Sequence, residues 1–84
     1  MNKTELQNIL NKAPLSRTRV HSQNAYFDWV TLDGKEYGIL TSYSTNVAVV
    51  IRPFMFRERE SYSRTTSKQI TVFAKENNLC LIEL

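Results

Sequence analysis

The sequence predicts an α+β domain: a small antiparallel sheet of four or five strands, with an N-terminal helix and a second helix before the last strand. Three features carry that expectation. Apolar residues recur at helical spacing near the start and again after residue 63, β-branched and aromatic residues fill the middle, and Asp33-Gly34 separates two strand-like stretches.

Leu6, Ile9 and Leu10 follow Thr4 and Glu5 at helical spacing, and Pro14 stops the pattern beyond Lys12, so residues 4 to 12 read as a short amphipathic helix. Residues 15 to 24 set Arg17, Arg19 and His21 against Thr18, Val20 and Ser22, an alternation that fits an edge strand or a polar connection. Tyr26 to Leu32 and Lys35 to Leu40 form the two arms of a hairpin. Asp33-Gly34 supplies its turn, expected to be type I′ with Gly34 at positive φ.

A second turn around Ser44, Thr45 and Asn46 precedes Val47 to Arg52, whose β-branched run suits a central strand buried on both faces. Pro53 ends or bends it. Phe54 and Phe56 then share a phase with Glu58 and Glu60, opposite Arg57 and Arg59, as in a strand running out of the core with both arginines turned to solvent. Ile70, Phe73 and Ala74 mark the buried face of a helix over about 66 to 77, with Ser63, Thr65 or Thr66 available as its cap. Leu79 to Leu84 reads as a final strand.

A chain of 84 residues holds one core, so residues 1 to 84 are read as a single domain. The single cysteine, Cys80, excludes an internal disulfide, and with the single histidine, His21, it cannot complete a structural zinc site. The fold must rest on apolar packing, with a homodimer as one way for so small a domain to gain stability. The longest apolar run, Val47 to Ile51, is far too short for a membrane span, and no signal-peptide pattern is seen. No membrane partner is expected, and the expected location is the cytoplasm of a host cell.

The chemistry-bearing residues offer little for catalysis. His21 and Cys80 are far apart in sequence, and Cys80 reads as a small hydrophobe in the last strand. Of the carboxylate pairs, Asp33 with Glu36 belongs to a turn, and Glu58 with Glu60 reads as solvated strand positions. No enzyme, cofactor or metal is expected. Ser61 to Lys68 gathers five serine and threonine side chains and two cations before a helix; Ser63, Thr65 and Thr66 with Arg64 and Lys68 fit either plain capping or an anion site. Tyr26, Phe27, Trp29, Tyr37 and Tyr43 fit core packing better than a base-stacking surface, since no matching glycine-aromatic motif accompanies them.

Two stretches, Leu40-Thr41-Ser42-Tyr43-Ser44-Thr45-Asn46-Val47-Ala48-Val49 and Tyr62-Ser63-Arg64-Thr65-Thr66-Ser67-Lys68-Gln69, together resemble a family of short proteins of bacteriophages and other mobile elements. That family carries an S-Y-x-T-x-V-A strand followed by Y-S-x-T-T-S and a helix. The resemblance spans residues 34 to 77, leaves the N-terminal helix outside, and departs at Gln69, where it implies histidine. It implies no catalytic residues. It does imply a setting in which small folded proteins bind and disable a host machine, defence nucleases included.

The formal charge of +3 is a modest excess. The leading expectation is an interaction module that inhibits or modulates a host protein. Its rival is a nucleic-acid-binding accessory protein using Arg52, Arg57, Arg59, Arg64 and Lys68.

Overall fold

The computed structural model describes residues 1–20, 24–59 and 62–84. In chain order the elements are α1 (Lys3–Lys12), β1 (Ala25–Leu32), β2 (Lys35–Ser42), β3 (Thr45–Ile51), β4 (Phe54–Arg57), α2 (Arg64–Glu76) and β5 (Cys80–Glu83). The strands form one sheet in the order β1-β2-β3-β4-β5. Neighbours pair antiparallel until the last pair, because β5 runs parallel to β4.

The expected all-antiparallel sheet is therefore a mixed one. Its cause is the helix between the last two strands: α2 carries the chain from the carboxyl end of β4 back to its start, and a strand laid down after such a crossover must run parallel. The N–H of Cys80 donates to the Pro53 carbonyl at 2.8 Å, and that of Leu84 to the Arg57 carbonyl at 2.9 Å, fixing the register at both ends.

The helices cover opposite faces of the sheet. Ile39, Val49 and Phe56 pack with Leu6 and Leu10 of α1, whereas their sequence neighbours Leu40, Val50 and Met55 pack with Ile70, Phe73 and Ala74 of α2. Alternation along each strand sends successive side chains to opposite sides, so a sheet covered twice needs apolar residues in both phases. That explains the unbroken burial of Asn46 to Val50 in the central strand. Burying a side chain such as Ile70 or Phe73 contributes about 1.5–3 kcal/mol.

Local chemistry sets the boundaries. Asn2 caps α1, its Oδ1 accepting the Glu5 N–H at 2.8 Å, and Ala13 turns extended before Pro14. Asp33 and Gly34 have φ of 51° and 79°, the type I′ geometry expected of the hairpin turn. Between β2 and β3 a bulge leaves Val47 without a partner, since Leu40 faces Ala48 while Thr41 faces Asn46.

Gly38 serves packing rather than a turn. A Cβ there would collide with the Phe27 ring and stand 3.0 Å from Val50 Cβ. The missing side chain lets Phe27 lie across β2 and reach Phe73, with ring centroids 4.6 Å apart. An isolated bridge between Arg19 and Tyr26 covers the start of the free edge of β1, so residues 15–20, the described part of the segment expected to be edge strand or polar connection before β1, are a little of each.

Candidate functional site

Half of the residues in the two motif stretches turn inward. Thr41 and Ser42 are neighbours in β2 and send their hydroxyls to opposite faces, where each fastens a helix. On the α1 face, Thr41 Oγ1 donates to Asn46 Oδ1 at 2.7 Å and accepts the Ser16 N–H at 2.9 Å. Asn46 Nδ2 donates to the carbonyls of Leu10 at 3.1 Å and Ala13 at 2.9 Å, supplying donors to the end of α1. On the α2 face, Ser42 Oγ donates to Gln69 Oε1 at 2.5 Å and lies 3.1 Å from Thr66 Oγ1. All five side chains are buried.

The hydroxyl cluster at the start of α2 divides in the same way. Ser63 is the cap, its Oγ accepting the Thr66 N–H at 3.3 Å. Thr66 is buried against Ser42, while Thr65 is exposed. Ser63, Thr65 and Thr66 therefore do not converge on one point, and Ser61 lies outside the described residues.

The five cations expected to form a patch are scattered. Arg57, expected to share a solvent face with Arg59, is only 5 % exposed. Its Nε donates to the Glu58 carbonyl at 3.0 Å, and its guanidinium lies 5.6 Å from the centre of the Tyr62 ring. The expectation assumed a strand with one buried face, but β4 is covered by helices on both sides, so Met55, Phe56 and Arg57 are buried in succession. Burial, then the charge of Glu58, pushes the Tyr62 hydroxyl above its ordinary pKa, with Arg57 opposing.

Arg52 follows β3 at the other end of β4 from Arg59, and its guanidinium stacks 5.2 Å from the centre of the Trp29 ring. Arg64 and Lys68 remain, exposed on α2, and the structure adds Lys75, three turns from Arg64. Arg64 sits in a first turn that holds no acid, where a cation opposes the helix dipole by about 0.3–1 kcal/mol.

Among the described residues, the other polar candidates are spread over the fold. His21 and Glu60 lie outside the described residues. Cys80, expected to be buried, is exposed at the start of the edge strand. Asp33 is exposed and pairs with Lys12 at 3.0 Å, and Glu36 is exposed in β2, opposite Thr31. Among the described residues, no three His, Cys, Asp or Glu side chains gather closely enough to hold a metal ion.

A different surface stands out. Tyr43 is 57 % exposed and Leu15 48 %, and the two line a cleft of about 670 Å³ with Pro14, Arg17, Tyr26 and Asp28. Tyr43 holds a φ of 57°, a region that Asn24, Asp33 and Asn78 tolerate easily but a bulky aromatic residue does not. Asp28 anchors the cleft wall by accepting from the Arg17 N–H at 2.6 Å and the Thr18 hydroxyl at 2.5 Å. The Thr18 bond, followed by the Arg17 bond, holds the Asp28 carboxyl below its ordinary pKa. Sequence reasoning missed Leu15, whose one signal is a large apolar side chain opening a polar stretch.

Taken together, these features define a small α+β domain whose motif hydroxyls and amides lock two helices onto a sheet, leaving an aromatic cleft outside. The chain belongs to a family of unknown function, DUF8033, which matches it over residues 4–80. The match takes in α1, which the motif resemblance had left out. No curated protein and no solved structure matches the chain. No helix among the described residues is long and apolar enough to cross a membrane.

Proposed function

We propose that this domain is an interaction module that binds another protein through the Leu15–Tyr43 cleft, with no covalent chemistry. One observation carries the reading: the two most exposed large apolar side chains among the described residues, Tyr43 and Leu15, line the same cleft. Aromatic residues and arginine are the usual anchors of protein interfaces, and Tyr43, Tyr26 and Arg17 occur together here. The backbone of Tyr43 supports the same view, since a tight turn has no structural use for an exposed aromatic ring at positive φ. The motif resemblance supports a mobile-element setting, in which the partner is a host protein such as a defence nuclease.

The test compares immobilised wild-type protein with Leu15→Ser/Tyr43→Ser on nuclease-treated bacterial lysate. A protein retained by the wild type and lost from the double variant is the expected result. Identical retention by both, or no retained protein once nucleic acid is digested, would contradict the reading.

A further inference from the structure

We propose that the solvent face of α2 is a second, separate contact surface that takes the phosphate backbone of a nucleic acid. Arg64, Lys68, Thr71 and Lys75 follow one another at spacings of four, three and four residues, and all are exposed. They form a straight stripe opposite the buried side chains of Thr66, Gln69, Ile70, Phe73 and Ala74. The stripe is about 16 Å long, from a rise of about 1.5 Å per residue. Thr71 lies low within it, its hydroxyl turned back to the Ser67 carbonyl at 3.0 Å, and Thr65 adds an exposed hydroxyl near the first cation.

The fold does not explain Arg64 and Lys68, whereas Lys75, in the last turn, suits the helix dipole. Arg64 opposes the helix dipole, and Arg64 with Lys68 is a like-charge pair one turn apart, so both work against the helix that carries them. The helix holds no acidic residue before its last position, Glu76. Charge complementarity therefore asks for a polyanion. A protein interface also needs apolar anchors at its centre, and this stripe has none, whereas phosphates are held by cations and hydroxyls alone. The nucleic-acid reading thus moves from the five residues suggested by the sequence to Arg64, Lys68 and Lys75.

Fluorescence anisotropy on random duplex DNA at several salt concentrations tests this. Wild-type protein should bind in the micromolar range at low salt, with log affinity falling against log salt at a slope near −2.7 for three phosphate contacts. Arg64→Glu/Lys68→Glu/Lys75→Glu should lose at least tenfold in affinity. Arg64→Glu alone should melt no lower than wild type, since it removes a cation from the helix start, and should still bind more weakly, so the loss seen in this variant cannot be ascribed to unfolding. Leu15→Ser/Tyr43→Ser should bind DNA unchanged, which keeps the failure of this proposal distinct from failure of the protein-binding one. Absence of binding at low salt, full binding by the triple variant, or equal affinity for polyglutamate would overturn it, the last in favour of an acidic protein partner.

Discussion

Ser42 and Tyr43 are adjacent, belong to the same motif and do opposite things. Ser42 is buried and ties β2 to α2 through Gln69 and Thr66, whereas Tyr43 is exposed and strains its own turn. The contrast extends through both motifs. Thr41, Asn46, Thr66 and Gln69 hold helices in place, while Arg64, Thr65 and Lys68 face solvent. Half of a distinctive motif in a small domain can thus be construction, while its exposed members stay free to make contacts outside.

The inward group should be the costly one to disturb. Asn46→Asp removes the donor to the Leu10 and Ala13 carbonyls and buries a carboxylate against them, costing about 3–5 kcal/mol, most of a small domain's stability. Circular dichroism should show it largely unfolded at neutral pH and partly restored in acid, where protonation returns a donor. A native melt at neutral pH would show that α1 does not depend on this latch.

Gly38→Ala should cost about 1–3 kcal/mol by displacing Phe27 from Phe73. Ser42→Ala should cost about 1–2 kcal/mol, read as a fall in melting temperature, by removing the donor to Gln69. Gln69→His puts in the residue implied by the motif resemblance and keeps an acceptor for Ser42, so it should melt above Ser42→Ala. A lower melting temperature than that of Ser42→Ala would show that this acceptor is not what position 69 chiefly contributes.

Acid provides a milder test at the cleft wall. The Asp28 carboxyl is depressed in the fold relative to its ordinary value of 3.8, so its contribution is present above that pH and is lost as pH falls through the folded value. Asp28→Asn should therefore lower stability at pH 7, where the carboxylate's contribution is fully present, and flatten the acid limb of the profile below about pH 4, where wild type loses that contribution. An unchanged acid limb would show that the anchoring of Arg17 and Thr18 contributes nothing to stability.

How far the sequence shows this depends on what each residue depends on. Element order, the Asp33-Gly34 turn, the doubly buried central strand and the Ile70–Phe73–Ala74 helix face follow from local patterns, and all are present. The parallel β5 was legible in principle, because a helix between adjacent strands returns the chain to its starting end. Burial of Arg57 was not, since it depends on both helices covering β4 and on the Tyr62 ring beneath the guanidinium. The exposure of Cys80 reflects its place at the start of an edge strand, which composition alone does not reveal. The candidate cleft was the least legible feature, because Leu15 and Tyr43 are far apart in sequence and meet only when the residue 14–17 segment packs beside β1 and β2.

The most direct measurement sets Ser42→Ala beside Tyr43→Asn and records melting temperature and partner retention for each, below both melting points. Asparagine tolerates positive φ, so Tyr43→Asn should melt at or above the wild-type temperature, by a few degrees at most, and lose the partner. Ser42→Ala should melt lower and keep it. Early melting of Tyr43→Asn, or full retention of the partner by that variant, would contradict the division between a motif interior that builds the fold and an exterior that works.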